Sequence, residues 1–236
     1  MDNYKLQKTT IWSFPNRGNW STHKGDYRGN WSPHIPRNLI LKYTKENDLV
    51  LDCFLGSGTT LIECKLLNRN AIGLDINQKA IDISNSRLTF QSNNNSFQKT
   101  ILSDSRNMED IENESIDFIC THPPYADIIK YSDDISNDLS SLQTDEFLIE
   151  IKKVSDQLFR VIKPGKYCSY MIGDIRKKGS VIPLGFKSME VFISSGFKLK
   201  EMIIKQQHNC AKTNYWENKN INFYLLAHEY IFVLYK

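Results

Sequence analysis

From Pro36 onward, short apolar runs alternate with stretches whose apolar residues recur every three or four positions. The first pattern predicts buried strands and the second amphipathic helices. Strands are expected over 49–54, 70–74, 99–102, 116–120, 167–172, 197–205 and 229–235. Helices are expected over 37–45, 59–67, 78–90, 145–158 and 187–194. Pro36 falls in the first turn of the first helix, and Lys163-Pro-Gly165 turns the chain into its fifth strand. Strands alternating with helices predict βαβ units: an α/β fold with a mainly parallel sheet covered by helices on both faces. No helix separates the last two strands, so an antiparallel hairpin is expected at one edge.

The first 36 residues break this rhythm. Arg17-Gly-Asn-Trp-Ser-Thr-His23 recurs as Arg28-Gly-Asn-Trp-Ser-Pro-His34, a repeat that occurs only twice and so builds no solenoid. With Pro15, Gly18, Gly25, Gly29, Pro33 and Pro36 the stretch reads as an irregular structured loop. The expected division is an arm over 1–36 and one domain over 37–236.

Charge sharpens that division. The net charge is +3, yet residues 1–43 carry seven Lys or Arg against two Asp. A basic segment carrying Trp12, Phe14, Trp20, Tyr27 and Trp31 suits nucleic acid, with cations for phosphates and rings for stacking. Arg17, Trp20, Arg28 and Trp31 are the candidates for that contact. The alternative is an arm packed onto the domain by its aromatics, and the two are compatible. His23 and His34 are expected to be packing residues.

The remaining composition is ordinary for a soluble globular chain. Residues 1–8 are polar with no apolar core behind them, and no run of about 18 apolar residues exists. The five cysteines are scattered without a CxxC pair, so no metal site is expected and reduced thiols in a cytoplasm are the default.

Two clusters carry chemistry. Leu51-Asp-Cys-Phe-Leu-Gly-Ser-Gly-Thr-Thr60 follows a strand and opens a helix. Its glycines let the backbone turn tightly and approach a ligand. Ligands of open α/β sheets bind beyond the carboxyl ends of strands, where this turn lies. Asp75 ends the next strand at the position where a carboxylate meets ribose hydroxyls. Asp104 follows the third strand, placed to accept from an adenine amino group. The loop lacks a GK[ST] ending, which disfavours ATP.

Cys120-Thr-His-Pro-Pro-Tyr125 ends the fourth strand. Two prolines fix φ and remove two N–H donors, aiming the preceding carbonyls into the crevice. An exocyclic amine is a poor nucleophile because its lone pair is delocalised into the ring. Fixed acceptors for both N–H groups favour a pyramidal nitrogen able to attack a sulfonium methyl. The Pro123 carbonyl and the side chain at His122 are the candidate acceptors, Pro124 stiffens the turn, and Tyr125 would stack on the base. A duplex hides such an atom, so the base must be flipped out or single-stranded.

These residues resemble the amino-group DNA methyltransferases that modify adenine at N6 or cytosine at N4. The resemblance spans about residues 12–236 and is strongest at 32–75 and 117–125. It implies a Rossmann-like, seven-stranded sheet with a reversed last hairpin, and S-adenosylmethionine as cofactor. Cofactor contacts are implied at Asp52, Phe54, Gly56, Ser57, Gly58 and Thr59, at Asp75 and Ile76, and at Asp104, Ser105 and Thr121. His122-Pro-Pro-Tyr125 matches the (D/N/S)-P-P-(Y/F/W) motif at three of four positions. Ser32-Pro-His-Ile-Pro-Arg-Asn-Leu-Ile40 is similar to the segment that contacts the methionine part of the cofactor. Met171-Ile-Gly-Asp-Ile-Arg176 and His228-Glu-Tyr-Ile-Phe-Val233 are similar to later strands.

There are two departures from the family. His122 replaces Asp, Asn or Ser; as a neutral imidazole it accepts one hydrogen bond, and as an imidazolium none. It either holds the amine or packs away, leaving the Pro123 carbonyl. Thr121 before it resembles the cytosine-N4 form. The large target-recognition region is missing, and the best substitute is 206–222 with Lys212, Tyr215 and Trp216, a loop that could enter a groove. Asp174 and Arg176 either line the base pocket or form a surface pair. Asp127, Asp133, Asp134 and Asp138 read as a solvated segment that orders over substrate. The function implied is methylation of cytosine or adenine in a specific DNA sequence, within a restriction-modification or epigenetic system. The rivals are an RNA or protein-amide methyltransferase and a cofactor-binding partner of a split enzyme. A homodimer or a second specificity subunit would supply the missing recognition.

Overall fold

The computed structural model describes residues 4–126, 135, 138–210, 215, 216, 219 and 221–236. The elements run β1 (Ile11–Trp12), α1 (His34–Tyr43), β2 (Leu49–Asp52), α2 (Thr59–Leu66), β3 (Asn70–Asp75), α3 (Gln78–Arg87), β4 (Gln98–Leu102) and β5 (Ile116–Thr121). They continue with α4 (Thr144–Val161), β6 (Ile162–Ile172), β7 (Ile175–Lys177), β8 (Ser180–Ile182), α5 (Leu184–Ser194), β9 (Lys198–Gln206) and β10 (His228–Tyr235). The large sheet has the order β1-β9-β10-β6-β5-β2-β3-β4. Only β10 runs against its neighbours, pairing antiparallel with both β6 and β9. The seven expected strands and the reversed hairpin are therefore present. The chain turns outward in both directions from β2 and β5, and the crevice for a ligand opens there.

Strand alternation explains why helices cover both faces. Leu51, Ile119, Tyr170 and Phe232 point one way and join Phe147, Ile151, Leu158 of α4 and Phe192 of α5. Val50, Phe118, Met171 and Ile231 point the other way and join Ile35, Leu39 of α1 and Leu61 of α2. Each such fully buried side chain contributes roughly 1.5–3 kcal/mol of transfer free energy.

Three features differ from expectation. An eighth strand, β1, comes from the arm and pairs parallel with β9, Ile11 opposite Ile204; two residues leave no period to detect. The hairpin β7–β8 turns on Lys178 and Gly179, both at positive φ (47° and 82°), as a two-residue hairpin turn requires. The first helix opens at His34, so a boundary at 36/37 falls in its first turn, with Pro33 at φ −61° before it. Among the described residues no helix is long and apolar enough to cross a membrane.

Candidate active site

The loop after β2 is built from the buried carboxylate of Asp52. Asp52 accepts from the Thr60 hydroxyl (2.5 Å), the Thr121 hydroxyl (3.0 Å) and the Phe54 N–H (3.1 Å). Burial pushes its carboxyl up to about 6 against the pull of these donors. It thereby fixes the loop to α2 and to the end of β5. Gly56 and Gly58 then take φ of +50° and +81°. A Cβ at Gly58 would lie 2.3 Å from the Ser84 hydroxyl of α3, so only glycine closes this turn.

A cleft opens above the loop, half open to solvent. Asp52, Phe54, Gly56, Ser57, Thr59, Asp75, Ile76, Asp104 and Ser105, all among the implied cofactor contacts, line it. Gly58 and Thr121 lie behind it, as loop geometry and as the brace on Asp52. Asp75 accepts from the Gly56 N–H (2.8 Å) and the Asn77 N–H (2.9 Å). Burial raises its carboxyl. The buried Ser57 hydroxyl has no hydrogen-bond partner among the described residues. Such an orphan lining a cleft beside a strand-end carboxylate fits a ligand rich in hydroxyl and amino groups, as the nucleoside end of S-adenosylmethionine is. Asp104 is already engaged: the Arg106 guanidinium grips both oxygens (2.5–3.0 Å) and also reaches Glu150 (2.8 Å). Burial alone would raise the Asp104 carboxyl, but Arg106 holds it below the usual range. Its expected contact with an adenine amine therefore competes with a bidentate ion pair.

The arm closes the cleft. Tyr27, Arg28, Gly29, Asn30 and Trp31 line it, and the Thr59 hydroxyl donates to Asn30 at 2.5 Å. Sequence reasoning missed Tyr27 and Asn30 because nothing in a loop's composition says which strand ends it will cross.

At the end of β5, Pro123 is buried while His122 and Pro124 line the cleft. Trp31 stacks on the His122 ring (centroids 5.3 Å, 19°). His122 Nε2 lies 2.8 Å from the Tyr125 hydroxyl, which donates to Glu229 at 2.7 Å. Lys205 donates to the other Glu229 oxygen at 2.8 Å. Burial pushes the His122 imidazole down to about 4, so it is neutral near pH 7. Glu229 and Lys205 face each other by the β9–β10 register; no motif marked them.

Other candidates lie elsewhere. Arg17 donates to the Trp31 carbonyl (3.0 Å), and Trp20 donates to buried Glu63 (2.7 Å), so both turn inward from any nucleic-acid surface. Trp31 is 7% exposed and serves the cleft. Arg28 is exposed at the cleft rim. Asp174 accepts from the Gly185 N–H (2.9 Å) at the start of α5, and Arg176 donates to the Gly179 and Tyr224 carbonyls (3.0 Å each). Neither lines the cleft or pairs with the other among the described residues. Tyr215 and Trp216 are exposed and pack edge to face (5.3 Å), with Lys219 over Tyr215. Lys212 and Asp127, Asp133 and Asp134 lie outside the described residues. Asp138 lines the cleft opposite the arm.

Residues 2–86 match the family described as DNA methylase. Over that stretch the chain is similar to DNA methylases. Over 89 residues it is 39% identical to the Type II methyltransferase M.BglI of Bacillus subtilis, covering 36% of this chain and 26% of that one. Over 84 residues it is 50% identical to the Type II methyltransferase M1.MboII of Moraxella bovis, covering 32% and 31%. The chain thus spans about a quarter to a third of the length of these curated relatives. Among solved structures, a SAM-dependent methyltransferase of Methanosarcina mazei matches at TM-score 0.58 and 14% identity, over 84% of this chain and 96% of that one. TrmN of Thermus thermophilus matches at TM-score 0.56 and 15% identity, over 89% and 50%. These likenesses show the Rossmann-like methyltransferase fold.

Proposed function

We propose that this chain transfers a methyl group to the exocyclic amine of cytosine (N4) or adenine (N6) in DNA. The observation that carries the reading is a neutral His122, beside Pro123 and Pro124, facing the same cleft as Asp75 and the orphaned Ser57 hydroxyl. S-adenosylmethionine, when bound, supplies a methyl on a positively charged sulfur. Asp75 would hold its ribose hydroxyls, and the Gly56–Gly58 turn would admit its backbone-hugging chain. Asn30 and Trp31 would close over it and exclude water, which strengthens every polar contact inside. His122 and the Pro123 carbonyl would hold the amine with its lone pair toward the methyl. The bound base must leave the stack to reach this depth. A cytoplasmic restriction-modification or epigenetic system would be the setting, and the similarity to Type II methyltransferases supports the restriction-modification part.

The test is transfer from labelled S-adenosylmethionine to unmethylated duplex DNA, read by nucleoside mass spectrometry, with Pro124→Ala and Tyr125→Ala alongside. A methylated cytosine or adenine that disappears in both variants is expected. Cofactor binding without transfer to DNA sinks the reading. A second reading has an observation of its own: only residues 207–227 join β9 to β10. Sequence specificity would then come from a second copy or a separate subunit, and transfer would appear only when that partner is added.

A further inference from the structure

The family's acceptor at the first position of the catalytic motif is replaced here by a ring with two nitrogens, only one of which can accept when the ring is neutral. The side chains beneath it decide which. Lys205 has protons to give and no lone pair, and Glu229 as a carboxylate has lone pairs and no proton. Tyr125 has one phenolic proton, and its hydroxyl gives it to Glu229 (2.7 Å). The phenol oxygen therefore faces His122 Nε2 (2.8 Å) as an acceptor, so the proton between them belongs to Nε2. Nδ1 is then the bare nitrogen. It has no hydrogen-bond partner among the described residues, and it belongs to a ring that lines the cleft.

We infer that the chain Lys205–Glu229–Tyr125 sets the tautomer of His122, leaving Nδ1 as the fixed acceptor for one N–H of the substrate amine. Lys205 and Glu229 are thus positioning residues for the transfer, 24 residues apart but opposite each other in the sheet. Two features hold the ring in the required pose. Trp31 stacks on its face, and Gly173 leaves room for Tyr125, since a Cβ there would lie 3.0 Å from Tyr125 Cε2. The Glu229 carboxyl is suited to its part: burial alone would raise it, but the Lys205 charge, His122 and the hydrogen bonds from Lys205 and Tyr125 together hold it below the usual range.

The inference rests on the amino-methyltransferase reading for its substrate, but not for its geometry. Glu229→Gln changes one atom's chemistry and almost no shape. Lys205 can only donate, so it claims the amide oxygen and turns the amide NH₂ toward Tyr125. The phenol must then donate to His122 Nε2, and the proton moves to Nδ1. Nitrogen-15 spectra of protein labelled in histidine read this directly. The expected result is an Nε2–H tautomer for His122 in the wild type and an Nδ1–H tautomer in Glu229→Gln. An Nδ1–H tautomer in the wild type overturns the inference. Should Glu229→Gln fail to fold, Tyr125→Phe removes the same lock and is expected to leave a mixture of the two tautomers.

Activity supplies an independent arm. Glu229→Gln is expected to lower kcat by about tenfold or more, the scale of one lost hydrogen bond to the reacting group. In a His122→Asn background, whose amide oxygen needs no tautomer, the same change is expected to cost under about threefold. Equal losses in both backgrounds would mean that Glu229 only supports the fold, and would overturn the inference. An Nε2–H wild type that binds cofactor but methylates no DNA counts against the substrate reading alone.

Discussion

The two copies of the arm's repeat share six of seven residues and end in different work. Both glycines take the left-handed backbone, φ 89° at Gly18 and 75° at Gly29. Beyond that the copies part. Trp20 gives its indole proton to Glu63, and His23 joins the same oxygen at 2.7 Å. Trp31 instead stacks on His122, and Asn30 takes the Thr59 hydroxyl. The one differing position separates them further. Thr22 donates to the Arg87 carbonyl at the end of α3, whereas Pro33 precedes α1 with φ preset for a helix. The copies also clasp: Arg17 holds the Trp31 carbonyl, and the Ser32 hydroxyl holds the Arg17 carbonyl. The first copy anchors and the second forms the wall of the cleft. A local sequence sets backbone bias; the neighbours it meets set its role.

The largest expected effect breaks the anchor. Glu63 is wholly buried and accepts from Trp20, His23 and Arg37. Glu63→Gln strands the buried Arg37 charge and should cost about 3–5 kcal/mol in denaturant unfolding. A loss below about 1 kcal/mol would show that the first copy is not the anchor. Next comes the wall. Trp31→Ala should lower kcat/KM by about a hundredfold, as expected when a reacting group loses its alignment. Trp20→Ala, assayed at a temperature where it stays folded, should leave turnover within a few-fold. Equal losses in the two would erase the distinction. Asn30→Ala should weaken cofactor binding about tenfold, the scale of one hydrogen bond. Its counterpart Asn19→Ala, at an exposed position, should leave binding unchanged.

The smallest effect is in the pH response. His122 titrates near about 4 because burial disfavours its charged form. Its ordinary value is about 6.5. As pH falls, the unfolded chain takes the proton first, so the stability tied to a neutral His122 is full above about 6.5 and is lost on the way down to about 4. After a discount for partial exposure this amounts to on the order of 1 kcal/mol. Trp31→Ala should let the His122 titration climb toward its ordinary value, and Trp20→Ala should leave it low. An NMR titration in which the two variants move it alike would again merge the copies.

Much of this was legible in the chain before any coordinates. Seven strands, the reversed hairpin and the cleft-lining Gly56 and Asp75 follow from period and punctuation, because parallel strands read as continuous apolar runs, and the resemblance adds Ser57 and Ser105. What escaped depends on register and on long-range meetings. Lys205 and Glu229 become partners only because β9 and β10 pair at that offset. Lys178-Gly179 is a weak turn signal, and it builds a hairpin between strands of three residues each. Trp20 and Trp31 are indistinguishable by letter, so assigning both to a nucleic-acid surface treated an anchor and a wall as one thing. Asp104 shows the same limit: its place after β4 put it on the cleft wall, and nothing in that placement announced that Arg106, two residues on, grips both its oxygens.

The two-residue β1 has a consequence for how the protein comes to exist. Ile11 pairs with Ile204, and Ser13 donates to Gln206, 193 residues further along. A ribosome adding roughly 5–20 residues per second needs on the order of 10–40 s to lay down that interval. During that wait the arm has its contacts with α2 and α3 but no sheet edge to join, and β9 emerges before β10, the strand that ties it to the rest. The cleft is therefore walled early and locked late. The arm is translated before the sheet edge it joins, and a nascent chain cannot hold the completed site until β10, which carries Glu229, has been made.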